Sequence, residues 1–397
     1  MGTCLTKEDI VLKFSPTVLE ERIDTLDILR GFSLLGIILV NVIAFYSPLP
    51  YIDLASWFTV PSDIIWQQRL DIYVQSSFYP LFSILFGYGL AMQYMKAQRT
   101  GANFYTIGSR RLVILLLFGL LHAFLLWWGD ILISYAFCGL ILILFLRLKP
   151  VFLIIIAFAF NLFFHFFMLF IVGYISMQEM EAIPLDIMSI QSARIAYGTG
   201  SWIDAFFQRV QDVFTQYNPF MWVVSIFTIL PYMLLGAVAG KLRLVERAKQ
   251  LKVYWVVSGI IFFAIGIVIK SAPIMLSRTY LLDYLKVYVG GPILSLGYIG
   301  IIVSLCYFPI VTKILRPFAK VGRMSITLYL MQSLVLSILF YNFGLGLYGN
   351  VDVFTGILIA IVVFIGQAIF AEVWLSKFKQ GPIEAIWRKF TYGKLLS

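Results

Sequence analysis

"GLLHAFLLWWGDIL", residues 119 to 132, places one of the chain's two histidines inside an apolar run, with an aspartate eight residues later. The surrounding stretch, 112 to 146, contains no Lys or Arg and could pass for one helix. A straight helix of that length would rise ~52 Å at about 1.5 Å per residue, far beyond a bilayer core of ~30 Å. The chain must therefore turn, and Gly129 followed by Asp130 is the turn-forming pair available. That turn fixes the parity of every later crossing.

Outward from it, apolar segments of spanning length lie near 29–46, 72–95, 112–128, 131–146, 150–175, 219–240, 253–270, 287–308, 324–341 and 353–375. The basic residues test this count of ten independently. Of the 30 Lys and Arg, 24 fall in the N-terminus, the C-terminus and alternate loops, and 6 in the others. This asymmetry predicts both termini on the cytoplasmic side of a cell membrane. The sequence thus reads as an all-α polytopic membrane protein forming a single integral domain over 1–397. It divides into a cytoplasmic segment 1–28, a ten-helix bundle over 29–375 and a cytoplasmic tail 376–397.

Composition agrees: 61% of residues are hydrophobic and 13% charged, about half the charged fraction (~25%) of a soluble domain. The net charge of +10 resides in short loops beside apolar spans, so it is a topology signal and nucleic acid is set aside as a partner. Cys4, Cys138 and Cys306 are scattered, which predicts neither a disulfide framework nor a metal cluster. Residues 1–24 lack the apolar core of a signal peptide, and "MGTCLT" matches a myristoylation pattern only formally.

The longest connection, 177–218, leans acidic and is external by parity, a candidate lid over an outward cavity. In the tail, Pro382 can open a helix whose Ile383, Ile386, Trp387 and Phe390 recur at helical spacing. The reading is an amphipathic interfacial helix with Arg388 and Lys389 toward lipid headgroups. No internal repeat of the kind that marks inverted-repeat transporters is visible.

Ionisable groups at membrane depth are the candidate sites. His122 lies twelve residues after Arg110, ~18 Å up its span, and Asp130 sits at the external turn. Two readings stand side by side: Asp130 orients a catalytic imidazole, or it caps the helix that follows while His122 bonds a neighbouring helix. Asp24, Asp27 and Arg30 are spaced by three, so Asp27 and Arg30 share a face at the cytoplasmic mouth. They form either an anion clamp for a phosphate-bearing ligand or an anchoring charge pair. Gly31 permits close helix approach. Asn41 and Gln332 are candidates to line a substrate cavity, although Gln332, like Gln367 and Glu372, also suits helix-to-helix bonding. His165, one turn after Asn161 in aromatic surroundings, reads as a structural hydrogen-bonding residue. No GxSxG, HExxH or P-loop is present, and the glycines of "LFGYG" (85–89) read as helix-packing points.

Taken together, "LDILRGFSLLGIILVN" (26–41), "LFSILFGYGLA" (81–91), "GLLHAFLLWWGDILISYA" (119–136), "VGRMSITLYLMQS" (321–333), "GLGLYG" (344–349) and "GPIEAIWRKFTYG" (381–393) closely resemble the YeiB family of bacterial inner-membrane proteins. That family resembles, more distantly, the transmembrane acyltransferases that include heparan-α-glucosaminide N-acetyltransferase. The resemblance implies transfer of an acyl group from cytosolic acyl-CoA to an extracytoplasmic glycan or lipid headgroup. Asp27, Arg30, Arg110 and Arg111 would then hold the donor, and His122 with Asp130 would supply the base. The pattern departs at one point, because residues 42–71 contain no histidine, where the lysosomal enzyme carries its catalytic one after the first span. The alternative is a non-enzymatic transporter or a carrier of lipids or small amphiphiles. Membrane lipids are the expected surroundings, and glycine-rich spans permit a homodimer.

Overall fold

A chain in lipid must satisfy its backbone hydrogen bonds within itself, and among the described residues all regular structure is helical. The computed structural model describes residues 23–177 and 186–393. The opening MGTCLT with Cys4, the acidic Glu179 and Glu181 of the long loop, and Lys394 lie outside them.

The helices, in order, are α1 (Asp24–Tyr46), α2 (Pro61–Tyr73), α3 (Phe78–Thr100), α4 (Phe104–Leu125), α5 (Leu132–Phe145), α6 (Pro150–Met177), α7 (Ile187–Gly198), α8 (Trp202–Gln216), α9 (Pro219–Lys241) and α10 (Lys252–Met275). There follow α11 (Tyr280–Leu305, with a π-helical turn at Lys286–Gly290), α12 (Arg316–Arg323), α13 (Ser325–Phe340), α14 (Val353–Lys377) and α15 (Pro382–Tyr392). The stretch 119–132 does turn: α4 ends at Leu125, α5 begins at Leu132, and the two helices pack on each other.

Each of the ten apolar segments coincides with a helix. Seven helices (α1, α4, α6, α9, α10, α11 and α14) are long and apolar enough to cross a membrane, or eight if α12 and α13 are one span bent by 87°. The remaining two segments fall short for visible reasons. At 14 residues, α5 rises only ~21 Å. Helix α3 carries Gln93, Lys96, Gln98 and Arg99 in its last two turns, and starts at Phe78 because the chain turns at Ser76, whose φ is 61°.

Helix α1 occupies the centre, packing against α3, α11, α12, α13 and α14, and its Leu29 and Val42 have no exposed surface. Small residues make these crossings possible. A Cβ on Gly31 would stand 2.0 Å from the carbonyl oxygen of Phe318, and one on Gly322 would stand 1.9 Å from that of Asp27, so α1 and α12 meet backbone to backbone. Gly87 on α3 and Gly236 on α9 cross in the same way. Conversely, α6 and α10 turn most of their surface outward, as lipid-facing helices do.

Helices α7 and α8 form a hairpin over one end of the bundle, against the end of α4. Ser201 and Asp204 close a capping box at the start of α8. This helix buries Gln208, Arg209 and Asp212, while Ile203, Phe207 and Phe214 face outward. Its apolar stripe is therefore available to lipid and its polar stripe to the protein.

Helix α15 begins with Pro382 at its first position, as read, but its apolar face is divided. Trp387 turns inward with Glu384 and Thr391, whereas Ile386 and Phe390 are exposed. The cause is Glu384: its carboxylate accepts the Ile326 and Thr327 N–H groups at 2.8 and 3.1 Å, capping α13 just after the bend.

Gly322→Ala is expected to cost about 1–3 kcal/mol of stability through overpacking, lowering Tm in detergent. Gly366→Ala, with nothing within 4 Å of the added carbon, should leave Tm unchanged.

Candidate active site at the turn between α4 and α5

His122 is reached by the last turn of α4 and Asp130 by the loop that follows, and both side chains are completely buried. Their contact is a 2.7 Å hydrogen bond between Nδ1 and Oδ2. The other carboxylate oxygen accepts the Ile133 N–H at 2.7 Å. Asp130 thus does both things the sequence left open, orienting the imidazole and capping α5. Gly119 makes room for it, since a Cβ there would stand 2.8 Å from Oδ1.

Residues far away in sequence close this corner. Tyr329 of α13 accepts the Ile131 N–H at 3.2 Å and lies 5.1 Å, ring to ring, from His122. Tyr217 donates to the Asp130 carbonyl, and Ser337 to that of Leu126 at 3.2 Å. Arg209, with no exposed surface, donates to the carbonyls of Phe124 at 3.1 Å and Leu126 at 3.4 Å, so a lid cation caps the C-terminus of α4.

The Nε2 of His122 is buried with no hydrogen-bond partner among the described residues. The same holds at this end for Trp127 Nε1, Tyr46 OH, Tyr341 OH, Tyr348 OH and one Arg209 Nη. Buried polar atoms are satisfied as a rule, so a cluster of exceptions marks a place where water or a ligand supplies the partner. A cavity of about 580 Å³ adjoins it, bordered by Tyr46, Trp57, Phe58, Asp63, Arg194 and Tyr348.

Asp212 anchors the lid hairpin, accepting from Tyr197 and Tyr51, each at 2.6 Å, and from Gln208 at 2.9 Å. Burial nevertheless pushes its carboxyl above the usual range, outweighing these bonds.

The other candidates lie elsewhere. Arg30 donates to Asp27 at 2.6 Å at the opposite, basic end, and its second Nη approaches the bare face of Gly89. The Arg111 guanidinium covers the Trp387 ring at 3.5 Å, within electrostatic range of Arg30 and Arg388, and exposed Arg110 lies beside Gly393. Asn41 is half-buried one turn before Phe45, outside the hydrogen bonds of His122. Gln332 bonds Gln367 at 3.1 Å and the Leu34 carbonyl at 3.4 Å, tying α13 to α14 and α1. His165 bonds Tyr284 OH, and Glu372 receives Lys320. No group of three or more His, Cys, Asp or Glu among the described residues could hold a metal ion.

Sequence reading missed Arg209, Asp212 and Glu384. It also missed Lys270, wholly buried in α10, which donates to the Gln75 carbonyl and to Ser77 Oγ. Lys270 could have been found as a lone charge in an apolar span.

A family profile described as "Protein of unknown function (DUF418)" matches residues 239–394. The uncharacterized protein YxaH of Bacillus subtilis (strain 168) is 35% identical over 398 residues, covering 95% of this chain and 96% of its own. The uncharacterized protein YeiB of Escherichia coli (strain K12) is 29% identical over 402 residues, 94% of this chain and 96% of its own. The chain belongs to the YeiB family. The DUF418 match contributes α10 to α15, with Tyr329, Ser337, Tyr341 and Glu384. His122, Asp130 and Arg209 lie before it, so in this YeiB-family chain the site joins the matched region to the part preceding it.

A carboxyl with a raised native pKa makes the folded state bind protons more tightly than the unfolded one. Lid stability should therefore be full below the unfolded value of about 4 and fall as pH rises toward the native value. Hydrogen exchange of the α7–α8 hairpin across a pH series should show this fall, and Asp212→Asn should flatten it.

Proposed function

We propose that the protein is a membrane-embedded acyltransferase that moves an acyl group from cytosolic acyl-CoA to a glycan or lipid headgroup on the far side of the cell membrane. The observation that carries this reading is a buried imidazole whose Nδ1 is held by a carboxylate while its Nε2 is left without a partner. That arrangement fixes the neutral tautomer with its lone pair on Nε2, the form a general base requires. The Nε2 would take the proton of an acceptor hydroxyl or amine as its oxygen or nitrogen bonds the acyl carbon. The carbon–sulfur bond of the donor breaks, and the leaving thiolate takes up the proton.

The basic end suits a phosphate-bearing donor. Arg30, Arg111 and Arg388 lie within electrostatic range of one another, with Arg110 beside them, and guanidinium groups match phosphate oxygens in pairs. The positive-inside rule would place that end in the cytosol and the lid outside. The donor's acyl arm has then to bridge the ~18 Å between Arg110 and His122.

A carrier reading draws on a separate groove of about 610 Å³ on the outer surface between α1, α12 and α14, lined by apolar side chains with Glu372 as the exception. It predicts lipid binding without any use of His122.

Calorimetry of purified protein with acetyl-CoA, and transfer of labelled acetyl groups to envelope extract, separate the two. His122→Gln is expected to keep acetyl-CoA binding and lose 10²- to 10⁴-fold in transfer, the usual share of a general base. Arg30→Ala should weaken binding by ~10-fold or more. Absence of acetyl-CoA binding, or transfer unaffected in His122→Gln, overturns the acyltransferase reading.

A further inference from the structure

The unpartnered polar atoms near the lid form a series. Tyr46 and Tyr348 border the cavity of about 580 Å³, and both hydroxyls are buried without a partner. Tyr348 lies 6.2 Å, ring to ring, from Tyr341, which has no exposed surface. Tyr341 lies 6.3 Å from Phe45, Phe45 stacks on Trp127 at 4.4 Å, and Trp127 stands 6.5 Å from His122. At each step except Phe45 the residue carries an unsatisfied donor or acceptor.

We infer that Tyr46, Tyr348, Tyr341 and Trp127 line a buried channel from the lid-side cavity to His122, and that its occupant is an uncharged hydroxyl-bearing group such as a sugar ring. Charge decides against an anion. The two arginines here are matched by two carboxylates, Arg194 and Arg209 by Asp63 and Asp212, and Arg209 already serves the carbonyls of Phe124 and Leu126. An anion would therefore gain no net positive partner in exchange for its hydration. What is offered instead is three hydroxyls that both donate and accept, one indole donor, and the aromatic faces of Trp57 and Phe58 at the mouth, a set that suits a ring with alternating C–H and O–H surfaces.

This rests on the acyltransferase reading only for the role of His122; the channel itself is a claim about access. Tyr341→Cys and Tyr348→Cys, each in the full chain with Cys4, Cys138 and Cys306 replaced by serine, would be purified in detergent and treated with a charged, membrane-impermeant thiosulfonate. Both should be modified, and millimolar methyl-β-glucoside, but not inorganic phosphate, should slow the reaction at both. Tyr341→Phe removes only the unpartnered hydroxyl and keeps the ring stack on Tyr197 at 4.5 Å. It should therefore melt at the parent Tm yet lose the parent's thermal shift with the glucoside, which keeps the test decisive if Tyr341→Cys fails to fold.

No modification of a folded Tyr341→Cys, modification without protection by the glucoside, protection by phosphate, or a glucoside shift retained in Tyr341→Phe would overturn the inference. No acyl donor enters these measurements. A sealed channel beside intact acetyl-CoA binding would sink this inference alone, and an open channel without acetyl-CoA binding would sink acyl transfer alone.

Discussion

Between Leu126 and Ile131 the chain leaves one helix and enters the next inside the bundle, and the backbone groups freed by that break must find partners away from water. Each unmet group in an apolar surrounding costs several kcal/mol, so the break cannot exist by itself. Its partners come from across the fold. Arg209 arrives from the lid, Tyr217 from the start of α9, Tyr329 and Ser337 from α13, and Asp130 from the turn itself. The lid, α13 and the α4–α5 hairpin are therefore mutually dependent: removing any one leaves polar groups of the other two exposed to a dry interior.

That dependence explains why α13 is supported so heavily at its other end. Helix α13 follows an 87° bend, and a helix starting inside protein has N–H groups that its own chain does not satisfy. Glu384 of α15 accepts two of them and also the Thr327 hydroxyl at 2.5 Å. Burial holds its carboxyl above the ordinary range, so this cap is an expensive one, retained where α15 also brings Trp387 against Arg111. A continuous structural path thus runs from the basic end, through α15 and α13, to Tyr329 against the His122 ring.

Much of this was legible in residues 119–132, because it depends on short-range physics. Length forces a turn, Gly129 and Asp130 permit it, and an eight-residue separation lets Asp130 fold back on His122. Helix positions followed equally well from apolar runs. The failures share a different cause. Arg209, Asp212 and Glu384 lie in segments that look like ordinary polar surface, and their partners are 58 to 161 residues away. In α8 the usual sign is even reversed, since burial in protein selects its polar stripe and lipid is left the apolar one. Gln332, read as a cavity residue or a helix tie, bonds α1 and α14, a choice that only the neighbouring helices' positions could make.

The double employment of Asp130 limits how the site can be altered. One oxygen holds α5 and the other holds the imidazole, so a change at Asp130 acts on fold and chemistry together, and its consequences do not add to those of His122. An amide in its place keeps one acceptor for the Ile133 N–H but presents a donor to Nδ1, which reverses the tautomer and moves the proton to Nε2. The helix cap would survive while the unpartnered nitrogen changed from acceptor to donor. Stability and base character are separable at this residue only because two different oxygens carry them, and the buried, unshared Nε2 is where that difference would be felt.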